Sequence, residues 1–310
     1  MTSLSKLSTP LFVAGGIATI AYAGTCLALY NYQDKLIFRP LPFLLRNPAE
    51  VGLAYEDVWI PLERTSQPKK LHGWWMPNPG SHRTLLLCHG NYGNVSYNID
   101  RCRFYHDLGF SILSFDYRGY GLSHSEPPSE QRAYEDAEAA LRYLTANRQI
   151  VPSTITVLGH SLGGAIAINL AAQHRELNSL IVECSFTSMK EAVHAKKIYR
   201  IFPVEQLLNH AFDSLSKVPD LKIPVLYVHG DRDTDVPSMF SQQLFEASPA
   251  HKQIWVAIGA GHNNITTEFK AAYKETATAF LSQLAAIEEP AARQLSGANA
   301  HPVDAHPSNQ

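Results

Sequence analysis

The sequence has few cysteines and no surplus of charge of either sign. Four cysteines in 310 residues (Cys26, Cys88, Cys102 and Cys184) are too few and too scattered for a disulfide scaffold, and no C-x-x-C pair suggests a zinc or thiol-redox centre. Lysine and arginine number 26 against 28 aspartate and glutamate, giving a net charge of −2. With no basic field to neutralise phosphates, a nucleic-acid partner is not expected. No internal repeat is found. What is present is apolar: 45% of side chains are hydrophobic and only 17% charged. That suffices to bury a core without staples, and the length suits one α/β unit of roughly 200–250 residues with short appendages.

The first appendage is hydrophobic. Leu11 to Tyr30 reads LFVAGGIATIAYAGTCLALY, and no charge falls between Lys6 and Asp34. About 20 such residues at ~1.5 Å each match a hydrocarbon layer of ~30 Å. A cleaved signal peptide would use Ala21-Tyr22-Ala23, yet the apolar run continues past that site. Ala23-Gly24-Thr25 before Cys26 makes a poor lipoprotein box, and a buried core helix would show a polar face. A retained single-pass anchor at 11–30 is the reading adopted, after a flank at 1–10 and before a juxtamembrane segment at 31–54. Lys35, Arg39 and Arg46 follow the run, so the positive-inside tendency places the main domain on the cytoplasmic side. Unpaired cysteines agree with that side.

Beyond the anchor, short β-rich runs alternate with helical patterns. Strands are expected at Asp57–Ile60, Leu71–Met76, Thr84–Cys88, Ser111–Asp116, Ile155–Leu158, Ser179–Glu183, Val225–His229 and Ile254–Ile258. Helices are expected at Tyr97–Leu108, Glu130–Thr145, Gly163–Gln173, Met239–Ala247 and Thr266–Ile287. This alternation predicts an α/β domain over 55–288, a mainly parallel eight-stranded sheet covered on both faces. In such sheets ligands bind beyond the carboxyl ends of the strands. Residues 189–218 are too long for an ordinary crossover and form either a small helical lid or an elongated helix pair. Residues 289–310, rich in Pro, Ala, Ser and His without an aromatic, read as a disordered tail.

Strand Ile155–Leu158 runs into Gly159-His160-Ser161-Leu162-Gly163-Gly164 and then a helical run, the strand–turn–helix context of a nucleophile elbow. Ser161 would project its hydroxyl above the sheet. Serine needs a base, and the base an acid, in the chain order Ser, Asp, His. Asp231, Asp233 and Asp235 all follow strand Val225–His229, and spacing alone does not choose among them. The base follows by elimination. Of the histidines beyond these aspartates, His301 and His306 sit in the tail and His251 precedes its strand, leaving His262 at a carboxyl edge. An oxyanion needs donors, and the backbone amides of Asn91 (after strand Thr84–Cys88) and Leu162 suit that role. His89 reads as support for its loop and Cys88 as a buried strand residue.

These blocks together resemble the α/β-hydrolase superfamily from about Tyr55 to Ile287. More narrowly they resemble the membrane-anchored BEM46-like hydrolases, the group containing α/β-hydrolase domain proteins 13 and 17. The carrying stretches are the anchor with Tyr32–Pro40 (YQDKLIFRP), then LHGWWMP, HGNYGN, FDYRGYGLS, GHSLGG, HGDRDTDVP and GAGHNN. The resemblance implies the α/β-hydrolase fold and, through the pattern H-G-x-x-D-x-x-V-P, places the acid on Asp233. It supports Ser161, His262 and the Asn91 and Leu162 amides, and makes Asp116, Arg118 and Gly121 scaffold residues. The implied activity is a serine hydrolase without cofactor or metal, acting on an ester or thioester of a small, lipid-like or acylated substrate. Depalmitoylation is one candidate, although its known agents carry a cysteine-rich N-terminus and this chain has only Cys26 there. A serine peptidase of the same fold and a non-catalytic membrane-tethered module are the alternatives.

Overall fold

Three consecutive leucines, Leu85-Leu86-Leu87, are the pattern of a strand buried on both faces, and they lie inside the sheet. The structure, a computed structural model, describes residues 4–62, 69–249 and 251–297. Its main sheet has eight strands: β1 (Glu56–Pro61), β2 (Lys70–Met76), β3 (Arg83–Cys88), β4 (Phe110–Phe115), β5 (Ile155–His160), β6 (Ser179–Glu183), β7 (Val225–Gly230) and β8 (Lys252–Ala257). The spatial order is β8-β7-β6-β5-β3-β4-β2-β1, and only β2 runs against its neighbours. All eight strands expected from the sequence are present, within about two residues of their expected bounds.

Side chains alternate between two cores. Leu86, Val157 and Tyr227 face one way, packing with α3 (Glu130–Arg142), α4 (Leu162–Gln173) and α7 (Met239–Ala247) through Ala137, Ala167 and Leu244. Leu85, Leu158 and Leu226 face the other way, toward α2 (Ile99–His106) and α8 (Lys270–Gly297) through Phe104, Tyr273 and Phe280. Burying each such large side chain stabilises by roughly 1.5–3 kcal/mol. The strands whose ends carry the site are therefore held between two buried cores. The chain runs from β3 outward to β4, then crosses back to β5 on the other side of β3. This reversal opens a crevice at the carboxyl ends of β3 and β5.

The first helix, α1, spans Leu4–Ile37, longer than the expected anchor at both ends. Its segment Val13–Ile37 is long and apolar enough to cross a membrane, and none of its apolar window is buried, unlike a core helix. Arg39–Pro40 then pairs with Tyr92–Gly93 in a short parallel ladder, tying the segment after α1 to the loop beyond β3. Between β6 and β7 the chain makes α5 (Met189–Ala195), a 3-10 turn at Lys197–Ile201 and α6 (Val204–Leu207), three short helical pieces in place of one long crossover pair. Ser188 caps α5 by accepting from the Glu191 amide at 3.2 Å. The backbone of α8 continues to Gly297, into the stretch read from sequence as a tail, where alanine and glutamate favour helix. Residues 298–310 lie outside the described residues.

Candidate active site

Ser161 stands between β5 and α4 with φ 55° and ψ −120°, a backbone conformation that costs a non-glycine residue about 1–3 kcal/mol. Its neighbours hold it there. The Ser161 amide donates to the Glu183 carbonyl at 2.9 Å, and the Ser185 hydroxyl donates to the Ser161 carbonyl at 2.9 Å. Two glycines permit the sharp entry into α4. A Cβ on Gly159 would lie 2.3 Å from the Gly163 carbonyl oxygen, and one on Gly163 would lie 2.0 Å from that of Cys88. The helix start is thus pressed against the ends of β3 and β5, and the serine sits at its positive end.

Across the crevice, the loop after β8 carries His262 and the loop after β7 carries Asp233. His262 Nε2 lies 3.0 Å from Ser161 Oγ, and its Nδ1 lies 2.6 Å from Asp233 Oδ2. An ionised carboxylate only accepts, so Nδ1 carries the proton and Nε2 accepts from the serine hydroxyl. Asp233 is itself fixed, because its Oδ1 accepts from the Asp235 and Val236 amides at 2.8 Å each. Burial raises its pKa, but the His229 and His262 hydrogen bonds, the His262 charge and the Val236 amide outweigh burial and hold the carboxyl well below the usual range.

The other two aspartates do different things. Asp231 accepts from the Gly259 amide at 2.5 Å, and Asp235 faces Lys196 at 3.4 Å on the surface. Of the three that spacing left open, only Asp233 meets His262.

Two more histidines, not singled out in the sequence, complete the arrangement. His160 donates from Nε2 to the His262 carbonyl at 3.0 Å. Burial first, then the nearby Arg101 and His262 charges, push its pKa well down, so it is a neutral donor. His229 Nε2 donates to the Val236 carbonyl at 2.9 Å and approaches Asp233 Oδ2 at 3.2 Å, while its Nδ1 accepts from Ser241 at 2.6 Å. The signal for both was position, one directly before the serine and one at the carboxyl end of β7. His160, Cys184 and His262 lie close enough to share a metal ion, as do Cys184, His229 and Asp233. The fit is poor. Both ring nitrogens of His262 and of His229 are engaged in hydrogen bonds, and burial pushes the Cys184 thiol far up.

The loop after β3 lies against the serine, since a Cβ on Gly90 would sit 3.5 Å from Ser161 Cβ. Asn91 is pinned on three sides: its side chain donates to the Ile37 carbonyl at 2.8 Å, and its carbonyl accepts from the Arg39 amide and the Tyr120 hydroxyl at 2.9 Å each. Among the described residues no hydrogen bond takes up the Asn91 amide. Leu162 supplies the first amide of α4, which has no partner within its helix. Both residues border the same cavity as Ser161 and His262.

His89 is fully buried, 4.4 Å from the Tyr117 ring and 2.7 Å from the Gly90 carbonyl, a support of the loop as expected. Burial pushes the Cys88 thiol up to about 12, which leaves no thiolate there. Asp116 accepts from the Val95 amide at 2.8 Å, a Cβ on Gly121 would strike its other oxygen, and Arg118 pairs with Asp136 at 2.7 Å. Asp116, packed against Gly121, thus holds the loop after β3, while Arg118 ties the turn after β4 to α3.

The cavity in front of Ser161 measures about 790 Å³. Its apolar walls come from the α5–α6 segment, through residues such as Val193, Tyr199 and Phe202, and from α1, through Leu29, Leu36 and Ile37. A space of this size, with apolar walls and a few polar groups beside the serine, has the character of a small-molecule site.

Residues 83–206 match the family model described as the alpha/beta hydrolase fold. The chain is 34% identical over 252 residues to protein Rv2307c of Mycobacterium tuberculosis, covering 80% of this chain and 86% of that one. It is 31% identical to protein bem46 of Schizosaccharomyces pombe (76% and 81%) and 30% identical to the membrane protein YNL320W of Saccharomyces cerevisiae (82% and 90%). Among solved structures it shares the fold of the esterase Pf2001 of Pyrococcus furiosus, with a TM-score of 0.68, 22% identity, and coverage of 80% and 98%. By fold and by these relatives, the chain belongs to the bem46-like group of the α/β-hydrolase family.

Proposed function

We propose that this protein is a membrane-anchored serine hydrolase that cleaves ester or thioester bonds of acyl-chain substrates. The observation that carries the reading is the unbroken hydrogen-bond relay Ser161–His262–Asp233, opening onto an apolar cavity at the reversal point of the sheet. Ser161 attacks the acyl carbonyl while His262 Nε2 takes its proton, and Asp233 stays ionised to hold the imidazole in that tautomer. The Asn91 and Leu162 amides receive the oxyanion. His262 then protonates the leaving group, and water, deprotonated by the same imidazole, releases the acyl group. The Pf2001 neighbour is titled an esterase, which agrees with this chemistry. The apolar α1 and the likeness to a membrane protein of yeast support residues 11–30 as the anchor. Lys35, Arg39 and Arg46 after the run are the ground for placing the hydrolase domain on the cytoplasmic side.

The test is labelling by a fluorophosphonate probe. The wild-type protein reacts, and Ser161→Ala abolishes labelling while leaving thermal unfolding unchanged; persistent labelling of the variant contradicts the assignment. Turnover of p-nitrophenyl esters against aminoacyl-nitroanilides separates the ester reading from a peptidase, and an intact protein inert to probe and substrates alike is a non-catalytic module.

A further inference from the structure

The anchor and the α5–α6 segment are one structural unit. Tyr22 donates to the Ile201 carbonyl at 2.8 Å and stacks on Phe202 at 5.6 Å. Gln33 bridges the same partners lower down, donating to the Leu207 carbonyl at 2.9 Å and accepting from the Asn209 amide at 2.7 Å. Asp34 accepts from His210 at 2.8 Å. Tyr22 lies on the order of 22 Å along α1 from Ile37, the last α1 residue in the cavity wall. The α5–α6 segment therefore climbs beside the domain-proximal half of the apolar run 11–30.

The sequence of the 3-10 turn at Lys197–Ile201 fits that place. With three residues per turn, positions three apart share a face. Tyr199 and Phe202 line the cavity. Ile198 and Ile201 point outward, 72% and 68% exposed. Lys197 and Arg200 are exposed between them. An apolar stripe flanked by cations is the composition of a segment that lies in a lipid interface, and here it adjoins a helix that itself enters the bilayer.

We propose that α1 and residues 189–208 form a membrane-embedded gate. Ile198 and Ile201 insert into the bilayer, and the acyl chain of a bilayer-resident lipid ester passes between the two elements to Ser161. This rests on the hydrolase reading above and adds the source of the substrate, the lipid phase in place of water.

The test uses the full-length protein in phosphatidylcholine vesicles and has two arms. In the first, Ile201→Trp and Val151→Trp are compared with the wild type in vesicles whose lipid chains are brominated. Val151 is also exposed, at 59%, but lies before β5, at the amino ends of the parallel strands and opposite the carboxyl ends that carry the site. The indole introduced at 201 is quenched at least threefold more than that at 151; equal quenching overturns the insertion. In the second arm, the double variant Ile198→Glu/Ile201→Glu is assayed on a long-chain 4-methylumbelliferyl ester dissolved in the vesicles and on a short-chain, water-soluble one. The variant loses at least tenfold on the first and stays within twofold on the second. Equal loss on both, or loss on neither, overturns the gate. A wild-type protein inert to both esters, with the Ile201→Trp indole still quenched, overturns the hydrolase reading and leaves the insertion standing.

Discussion

His160 Nε2 lies 3.0 Å from the His262 carbonyl, so the residue that precedes Ser161 holds the loop carrying its partner imidazole. The two rings sit 5.0 Å apart. This bond links the end of β5 to the loop after β8, elements that do not touch within the sheet. His160→Phe keeps the burial and the ring but leaves the His262 carbonyl without its donor, at a cost of about 1–3 kcal/mol. We expect kcat on a soluble ester to fall about 10–100-fold with KM little changed, since the serine–imidazole geometry loosens while the cavity persists. His160→Gln, which retains a donor, recovers part of the loss. Wild-type kcat in His160→Phe would show that the bond positions nothing.

Asp233 yields a prediction in both activity and stability. In Asp233→Asn the amide group facing His262 Nδ1 donates, which moves the ring proton to Nε2 and aims it at Ser161. Steady-state assays then show kcat lower by about 10⁴. The stability effect has a definite sign. The folded carboxyl titrates below its ordinary value of 3.8, so the folded state gains from its ionisation above that value and loses the gain as pH falls below it. Wild type minus Asp233→Asn in Tm is therefore positive and flat near neutrality and shrinks as the pH drops through 4 toward 2. A gap that widens on acidification contradicts the environment described for this carboxyl.

Most of the scaffold was legible because its strands are apolar on both faces and alternate with helices; Leu85–Leu87 and Ile155–Leu158 have no other sensible partner. Ser161 and His262 were legible because topology dictates which strand ends meet. Asp233 was not, from spacing alone. Asp231, Asp233 and Asp235 share one tight turn, and what separates them is where that turn sends each carboxylate, toward Gly259, His262 or Lys196. The contribution of α1 to the cavity was equally hidden. A nearly uniform apolar run has no face to read, and two polar marks inside the contact, Gln33 and Asp34, look in sequence like the start of a solvated flank. His160 escaped notice for a related reason, since a variable position in a motif shows its role only when the loop opposite is in place.

The pair Arg101–Glu183 supports the elbow from beneath. Arg101 Nε lies 2.7 Å from Glu183 Oε2, and Tyr105 and Tyr273 each donate to Oε1 at 2.9 Å, all inside the core. Glu183 closes β6, and its carbonyl receives the Ser161 amide at 2.9 Å. Replacing Arg101 with methionine leaves a buried carboxylate held only by two hydroxyls, a change that costs about 3–5 kcal/mol. For a domain of this size each kcal/mol is worth about 2–4 °C, so Tm falls by roughly 6–20 °C. Because the same residue anchors Ser161, fluorophosphonate labelling of the variant slows well below its melting point. Adding Glu183→Gln removes the stranded charge and restores at least half of the lost Tm. If the double variant melts no higher than the single one, the loss comes from packing around Arg101 and not from the uncompensated carboxylate.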